Sequence, residues 1–199
     1  AERGLSVAVA DLCGHGLSSG KRGDIADVPG CIALLRRLTE EKFLPLTRHN
    51  QYALYGHSFG GLAAIRWAMD APKELNRLIV QSPLLKVAFR IPAWKESLAS
   101  IMARVWPAFS LAMNLDASAL SHDPAVVQAY KSDPSVHNRI SARCYHSLLQ
   151  TRDDVLAHPE AVSVPTLLLC GQLDRIISVP AARGWFERLA TRKKFVEFP

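Results

Sequence analysis

Gly56-His57-Ser58-Phe59-Gly60 sets a serine between two glycines, and the chemistry open to such a serine is nucleophilic attack. The residues before it, Tyr52-Ala53-Leu54-Tyr55, have strand character, and Leu62 to Met69 behind it have helix character. A strand that turns sharply into a helix brings backbone against backbone. Glycines at 56 and 60 are expected to remove the side chains that would collide there, leaving Ser58 strained and exposed at the turn. Ser58 then sits at a helix N-terminus, where unpaired N–H groups stabilise negative charge. The N–H of Phe59 is the expected oxyanion donor. The alternative is a plain glycine-rich turn; the strand before and the helix behind favour the reactive one.

A serine hydroxyl needs a base to take its proton, and the base needs a carboxylate to orient it. Asp174 is the best carboxylate, because it stands in Gly171-x-x-Asp174 directly after the apolar run Val164–Cys170. In parallel α/β sheets functional groups gather beyond the carboxyl ends of strands. A surface turn is the alternative for Asp174, and Asp153 and Asp154 are weaker candidates. The base is the missing part. The seven histidines are His15, His49, His57, His122, His137, His146 and His158, and none follows Asp174. His57 is expected to point away from the site, and His15 to brace backbone in its glycine-rich loop. His122, His137, His146 and His158 would need an unusual geometry.

The elements that must position these residues alternate. Leu5–Ala10 is expected as a buried strand running into the loop Gly14–Gly20. Asp27 can cap a helix in which Val28, Cys31, Ile32, Leu34, Leu35 and Leu38 recur at helical spacing, with Pro29 in its first turn and an end before Pro45. The elbow strand and its helix follow, then a buried strand over Leu75–Gln81 closed by Ser82-Pro83. Strand, helix, strand, helix, strand is the rhythm of an α/β fold with a mostly parallel sheet flanked by helices.

Residues 84–159 break that rhythm. Segments Ile91–Phe109, Leu111–Leu120, Pro124–Tyr130 and Ile140–Leu156 hold no useful strand pattern, so an inserted helical cap is expected. Its apolar residues, among them Ile91, Trp94, Leu98, Ile101, Met102, Val105, Trp106, Phe109 and Met113, either pack within the cap or line an apolar substrate channel. The strand rhythm resumes at Val164, with a helix from Pro180 to about Ala190 and a last strand over Lys194–Phe198. The expected organisation is therefore core over 1–83, cap over 84–159 and core again over 160–199.

Composition narrows the class. With 199 residues, 49% of them hydrophobic and 21% charged, the chain fits one soluble globular domain. Its formal charge of +6 is dispersed, with Lys21-Arg22 and Arg192-Lys193-Lys194 as the clusters and no interleaved aromatics, so no nucleic-acid partner is expected. Cys13, Cys31, Cys144 and Cys170 show neither Cys-x-x-Cys pairing nor metal spacing with histidines, so no metal site is expected. Cys31 and Cys170 read as small core residues. There is no apolar run of membrane-spanning length and no visible signal peptide, and a cytoplasmic location is the default expectation.

Several motifs together carry a family resemblance. The run Asp11-Leu12-Cys13-Gly14-His15-Gly16-Leu17-Ser18-Ser19-Gly20-Lys21-Arg22-Gly23 resembles a loop of monoacylglycerol lipase and lysophospholipase-like α/β-hydrolases of the serine aminopeptidase S33 type. Gly56-His57-Ser58-Phe59-Gly60-Gly61 resembles their elbow. His122-Asp123-Pro124 with Val126–Tyr130, Asp133-Pro134 and Ser141-Ala142-Arg143 resembles their cap, and Gly171-Gln172-Leu173-Asp174-Arg175-Ile176 their acid turn. The similarity implies an α/β-hydrolase fold with Ser58 as nucleophile and Asp174 as acid. Cys13 departs from the pattern, which has arginine there. The resemblance also implies a His-Gly loop before residue 1 and a catalytic histidine shortly after the last strand. The chain is thus expected to be a fragment holding the last five of eight strands.

The resemblance implies hydrolysis of a carboxylic ester, monoacylglycerol or lysophospholipid, through an acyl-enzyme on Ser58. No cofactor is called for, the partner is a small lipid ester, and the cap is the place for any peripheral membrane contact. Thioesterases and peptidases share the triad on this fold. A non-catalytic binding protein is the other alternative. An epoxide hydrolase would carry aspartate at the elbow, and Ser58 argues against it.

Overall fold

The computed structural model describes residues 6–47, 49–113 and 115–199. Its centre is a four-stranded sheet of β1 (Tyr52–His57), β2 (Leu75–Gln81), β5 (Thr166–Gly171) and β6 (Lys193–Phe198), in the order β1-β2-β5-β6 with every pairing parallel. Parallel strands need helical crossovers, and these put apolar helix faces on the sheet. The α2 helix (Phe59–Met69) crosses from β1 to β2, and α6 (Val179–Glu187) from β5 to β6.

Leu78, Val80 and Leu168 of the middle strands are fully buried. They meet Leu62, Ile65 and Ala68 of α2 and Trp185 and Phe186 of α6 in one core. The α1 helix (Val28–Leu38) starts as its sequence predicts, with Asp27 accepting a hydrogen bond from the Gly30 N–H at 2.5 Å and Pro29 in the first turn. Regular helix ends at Leu38; a π-helical turn (Thr39–Phe43) and a 3-10 turn (Leu44–Leu46) carry the chain on to Pro45 and past it.

Between β2 and β5 lie α3 (Ala93–Val105), β3 (Ser110–Ala112), α4 (Pro124–Ser132), β4 (Arg139–Ser141) and α5 (Ala142–Ala157). Residues 84–159 add no strand to the four-stranded sheet. The α5 helix rests on α1 and α2: the Val28 N–H donates to Ser147 Oγ at 2.9 Å, and Cys144, Leu148 and Val155 join the central core. No helix of the described residues is long and apolar enough to cross a membrane.

Two expected elements differ. Leu5 lies outside the described residues, and Ser6–Ala10 form no strand; Val7 and Val9 are 82% and 85% exposed. A strand exists only with a partner for its N–H and C=O groups, and this segment pairs with none among the described residues. Leu111–Leu120, expected to be helical, instead gives β3, paired antiparallel with β4, and a 3-10 turn over Ala117–Ala119. The Asp116 carboxylate accepts from both the N–H and the hydroxyl of Ser118, a local closure that competes with helix. Of the cysteines, Cys170 is buried as expected, while Cys31 is half-buried and Cys144 is the second buried one.

Candidate active site

Ser58 joins β1 to α2 with φ 52° and ψ −118°, a conformation that L-residues with a Cβ rarely adopt. Three backbone bonds hold it there. Its N–H donates to the Gln81 carbonyl at 3.0 Å, and its own carbonyl accepts from Leu62 N–H at 3.1 Å and Leu84 N–H at 2.9 Å. Its hydroxyl caps no N–H of α2. The Leu62 bond to the Ser58 carbonyl is the first of the helix, so the Phe59 N–H stands before it in the unpaired first turn.

The glycines divide the work differently from the motif's expectation. A Cβ at Gly56 would lie 2.2 Å from the Gly60 carbonyl oxygen, and one at Gly61 would lie 3.0 Å from Pro83 Cα. A Cβ at Gly60 would meet nothing within 4 Å. The close approach is made at Gly56 and, less tightly, at Gly61; Gly60 contributes its carbonyl, not an absent side chain.

Asp174 follows β5 in a tight turn. Its N–H donates to the Gly171 carbonyl at 3.2 Å, and its Oδ1 accepts from Ile176 N–H at 2.9 Å and Ile177 N–H at 2.8 Å. Both side-chain bonds fall on one oxygen, which leaves Oδ2 for another donor. The segment beyond is fixed as well. Ala88 N–H donates to the Ile176 carbonyl and Ser178 N–H to the Lys86 carbonyl, each at 2.8 Å.

An open cleft of about 320 Å³ has both Ser58 and Asp174 in its lining, a size in the range of small-molecule sites. Its floor is the carboxyl end of the sheet, with Gln81 and Ser82 beside Ser58. Ser82 is a second strained position, at φ 39°. The chain from Leu115 to His122 roofs it, and Pro199 at the end of β6 also lines it.

Ser58 and Asp174, singled out by their sequence setting, thus border the same cleft, and Phe59 follows Ser58 at the head of α2. His57 ends β1 at the cleft rim and is an exposed residue among those that border the cleft. His15 does brace its loop, with Nδ1 at 3.0 Å from the Cys13 carbonyl oxygen. Sequence reasoning missed Gln81, Ser82 and Ser118 as cleft residues, while His122, weighed as a base that would need an unusual geometry, also borders the cleft. The rule of strand carboxyl ends could have found Gln81 and Ser82; no spacing marks Ser118, which reaches the cleft through the path of the chain between β3 and α4.

Thiol chemistry is disfavoured at three cysteines. Burial pushes the Cys31 and Cys170 thiols up to about 11, and raises that of Cys144 for the same reason. Among the described residues no three His, Cys, Asp or Glu side chains are grouped as a metal would need.

A family model described as serine aminopeptidase, S33, matches residues 1–199. An uncharacterized abhydrolase domain-containing protein of Dictyostelium discoideum is 30% identical over 192 residues, 95% of this chain and 20% of that protein. A monoacylglycerol lipase of Mycolicibacterium smegmatis is 29% identical over 194 residues, 94% of this chain and 67% of that one. Among solved structures, the monoacylglycerol lipase of Paleococcus ferrophilus shares 33% identity with a TM-score of 0.85, over 93% of this chain and 70% of the lipase. The chain thus spans only part of each relative.

Proposed function

The chain belongs to the serine aminopeptidase S33 family and has its α/β-hydrolase fold, and from that premise we propose that the full-length protein hydrolyses carboxylic esters, with monoacylglycerol or a lysophospholipid as substrate. The observation that carries this reading is that a strained, uncapped Ser58 and a half-bonded Asp174 line one cleft.

Ser58 Oγ attacks the ester carbonyl while a base takes its proton. The oxyanion that forms is stabilised by the Phe59 N–H at the head of α2, where the helix dipole adds to it. The base returns the proton to the departing alcohol, leaving an acyl-enzyme, which water then cleaves by the same steps in reverse. Asp174 Oδ2 is the free acceptor for the base's N–H. The base this reading requires is a histidine delivered to the cleft from the end of β6, where Pro199 already lines it.

Residues 84–159 act in this reading as the cap. The exposed apolar residues Leu98, Ile101, Val105 and Trp106 are its contact with a lipid surface. The test is hydrolysis of monooleoylglycerol, lysophosphatidylcholine and an aminoacyl p-nitroanilide by full-length protein and its Ser58→Ala variant. Turnover of a lipid ester that is lost in the variant is the expected result. Cleavage of the anilide alone would move the assignment to a peptidase, and no turnover of any substrate would overturn it.

A further inference from the structure

The roof of the cleft is not held by packing alone. One arginine joins it to the acid turn. Arg175, the neighbour of Asp174, donates from its guanidinium to the Ser118 carbonyl at 2.7 Å, with Ser118 Oγ at 3.4 Å. Ser118 is itself pinned by Asp116, whose two carboxylate oxygens accept from the Ser118 N–H at 2.9 Å and hydroxyl at 2.8 Å. These bonds hold the Asp116 carboxyl below its ordinary range, and Arg175 adds to the effect. At its other end the arginine is fixed by its turn, since Asp174 binds the next two N–H groups.

A continuous chain therefore runs from Asp174 through Arg175 and Ser118 to Asp116. It spans the cleft from its wall to its roof, and Arg175, Ser118 and Leu120 all line the cleft. A guanidinium suits such a strut because it is always charged and presents donors in a fixed plane, so the roof is set at one height.

We propose that Arg175 is a specificity-determining positioning residue, a latch that holds the roof segment 115–122 over Ser58 and so sets the length of acyl chain the cleft accepts. The latch rests on the ester-hydrolase reading for its effect on substrate choice, but its mechanical part does not. Releasing it lets the roof lift, which weakens contacts along a long acyl chain more than those to a short one.

The test uses full-length protein carrying Arg175→Ala, Arg175→Lys or Asp116→Ala. Amide hydrogen exchange is the first readout. Exchange in residues 115–122 is expected to quicken by about tenfold in Arg175→Ala, with β5 and α2 unchanged. The second readout is kcat/KM for p-nitrophenyl decanoate over that for the acetate. This ratio is expected to fall about fivefold through KM, with partial recovery in Arg175→Lys. Asp116, which does not line the cleft, carries the test if Arg175→Ala misfolds; its variant should give the same change, and the double variant no more. Unchanged exchange over 115–122 overturns the latch, and an unchanged chain-length ratio in an active enzyme overturns its role in specificity. Wild-type protein without ester turnover overturns the ester reading and that role together, while the exchange result still decides the latch.

Discussion

The carbonyl oxygen of Gly60 lies 2.2 Å from the point a Cβ of residue 56 would occupy, so β1 and α2 touch through backbone directly beneath Ser58. Gly56→Ala must push strand and helix apart, and we expect a loss of about 2–3 kcal/mol with loss of turnover. Gly60→Ala has open space and should gain helix propensity of under about 1 kcal/mol. Urea midpoints of the two variants check this contrast. Equal destabilisation by both would show that the motif's two glycines share one role after all.

Ser58 is held at positive φ by bonds to Gln81, Leu62 and Leu84. Strain of this kind costs about 1–3 kcal/mol. Ser58→Ala keeps the Cβ and the strain, whereas Ser58→Gly removes both. The glycine variant is expected to be about 1 kcal/mol more stable than the alanine variant, a net figure after glycine's larger unfolded-state entropy. Both should be inactive. If thermal unfolding ranks alanine above glycine, the elbow is not under strain.

Asp174→Asn tests the division of the carboxylate's two oxygens. The amide oxygen can still accept from Ile176 and Ile177, so the fold should be unchanged. The other position becomes a donor and would hold the base in the wrong tautomer, and kcat is expected to fall on the order of 10⁴-fold. A tenfold loss or less would show that Asp174 only closes its turn.

Much of this site was legible because it is local. The elbow is written in five consecutive residues, Asp174 follows an unbroken apolar strand, and Asp27 and Pro29 mark the start of α1 by rules that act within one turn of helix. What could not be read depends on partners far away in the chain. Leu5–Ala10 has a strand's composition, yet Val7 and Val9 are exposed because composition does not supply a neighbouring strand. The 111–120 segment holds no useful strand pattern, yet Ser110–Ala112 find Arg139–Ser141, nearly thirty residues on. Gly56 and Gly60 are the same residue type in the same motif, and only the path of the backbone tells them apart.

The glycine-rich loop and β4–α5 are joined by Asp24 and Arg143, with Arg143 Nε and Nη2 each 2.7 Å from a carboxylate oxygen. Asp24's side chain is 6% exposed and Arg143's 40%. The guanidinium holds the Asp24 carboxyl below the usual carboxylate range. A depressed folded value means the stabilisation is present above the unfolded value of about 4 and is lost as pH falls through the folded one. With Arg143 partly solvated, the pair contributes about 1–2 kcal/mol. Asp24→Asn should therefore lower stability by that amount at pH 7, and the gap to wild type should close toward pH 2–3. A gap that is the same at both pH values would contradict the assignment.

Whether Ser58 is an activated nucleophile decides the rest, and covalent labelling tests it most directly. Full-length protein is treated with diethyl p-nitrophenyl phosphate, which transfers its phosphoryl group to an activated serine and releases p-nitrophenolate. One diethylphosphoryl adduct per chain is expected, located by peptide mass spectrometry on Ser58 and absent in Ser58→Ala. An unlabelled protein, or an adduct that persists at another residue in the variant, would contradict the role given to Ser58.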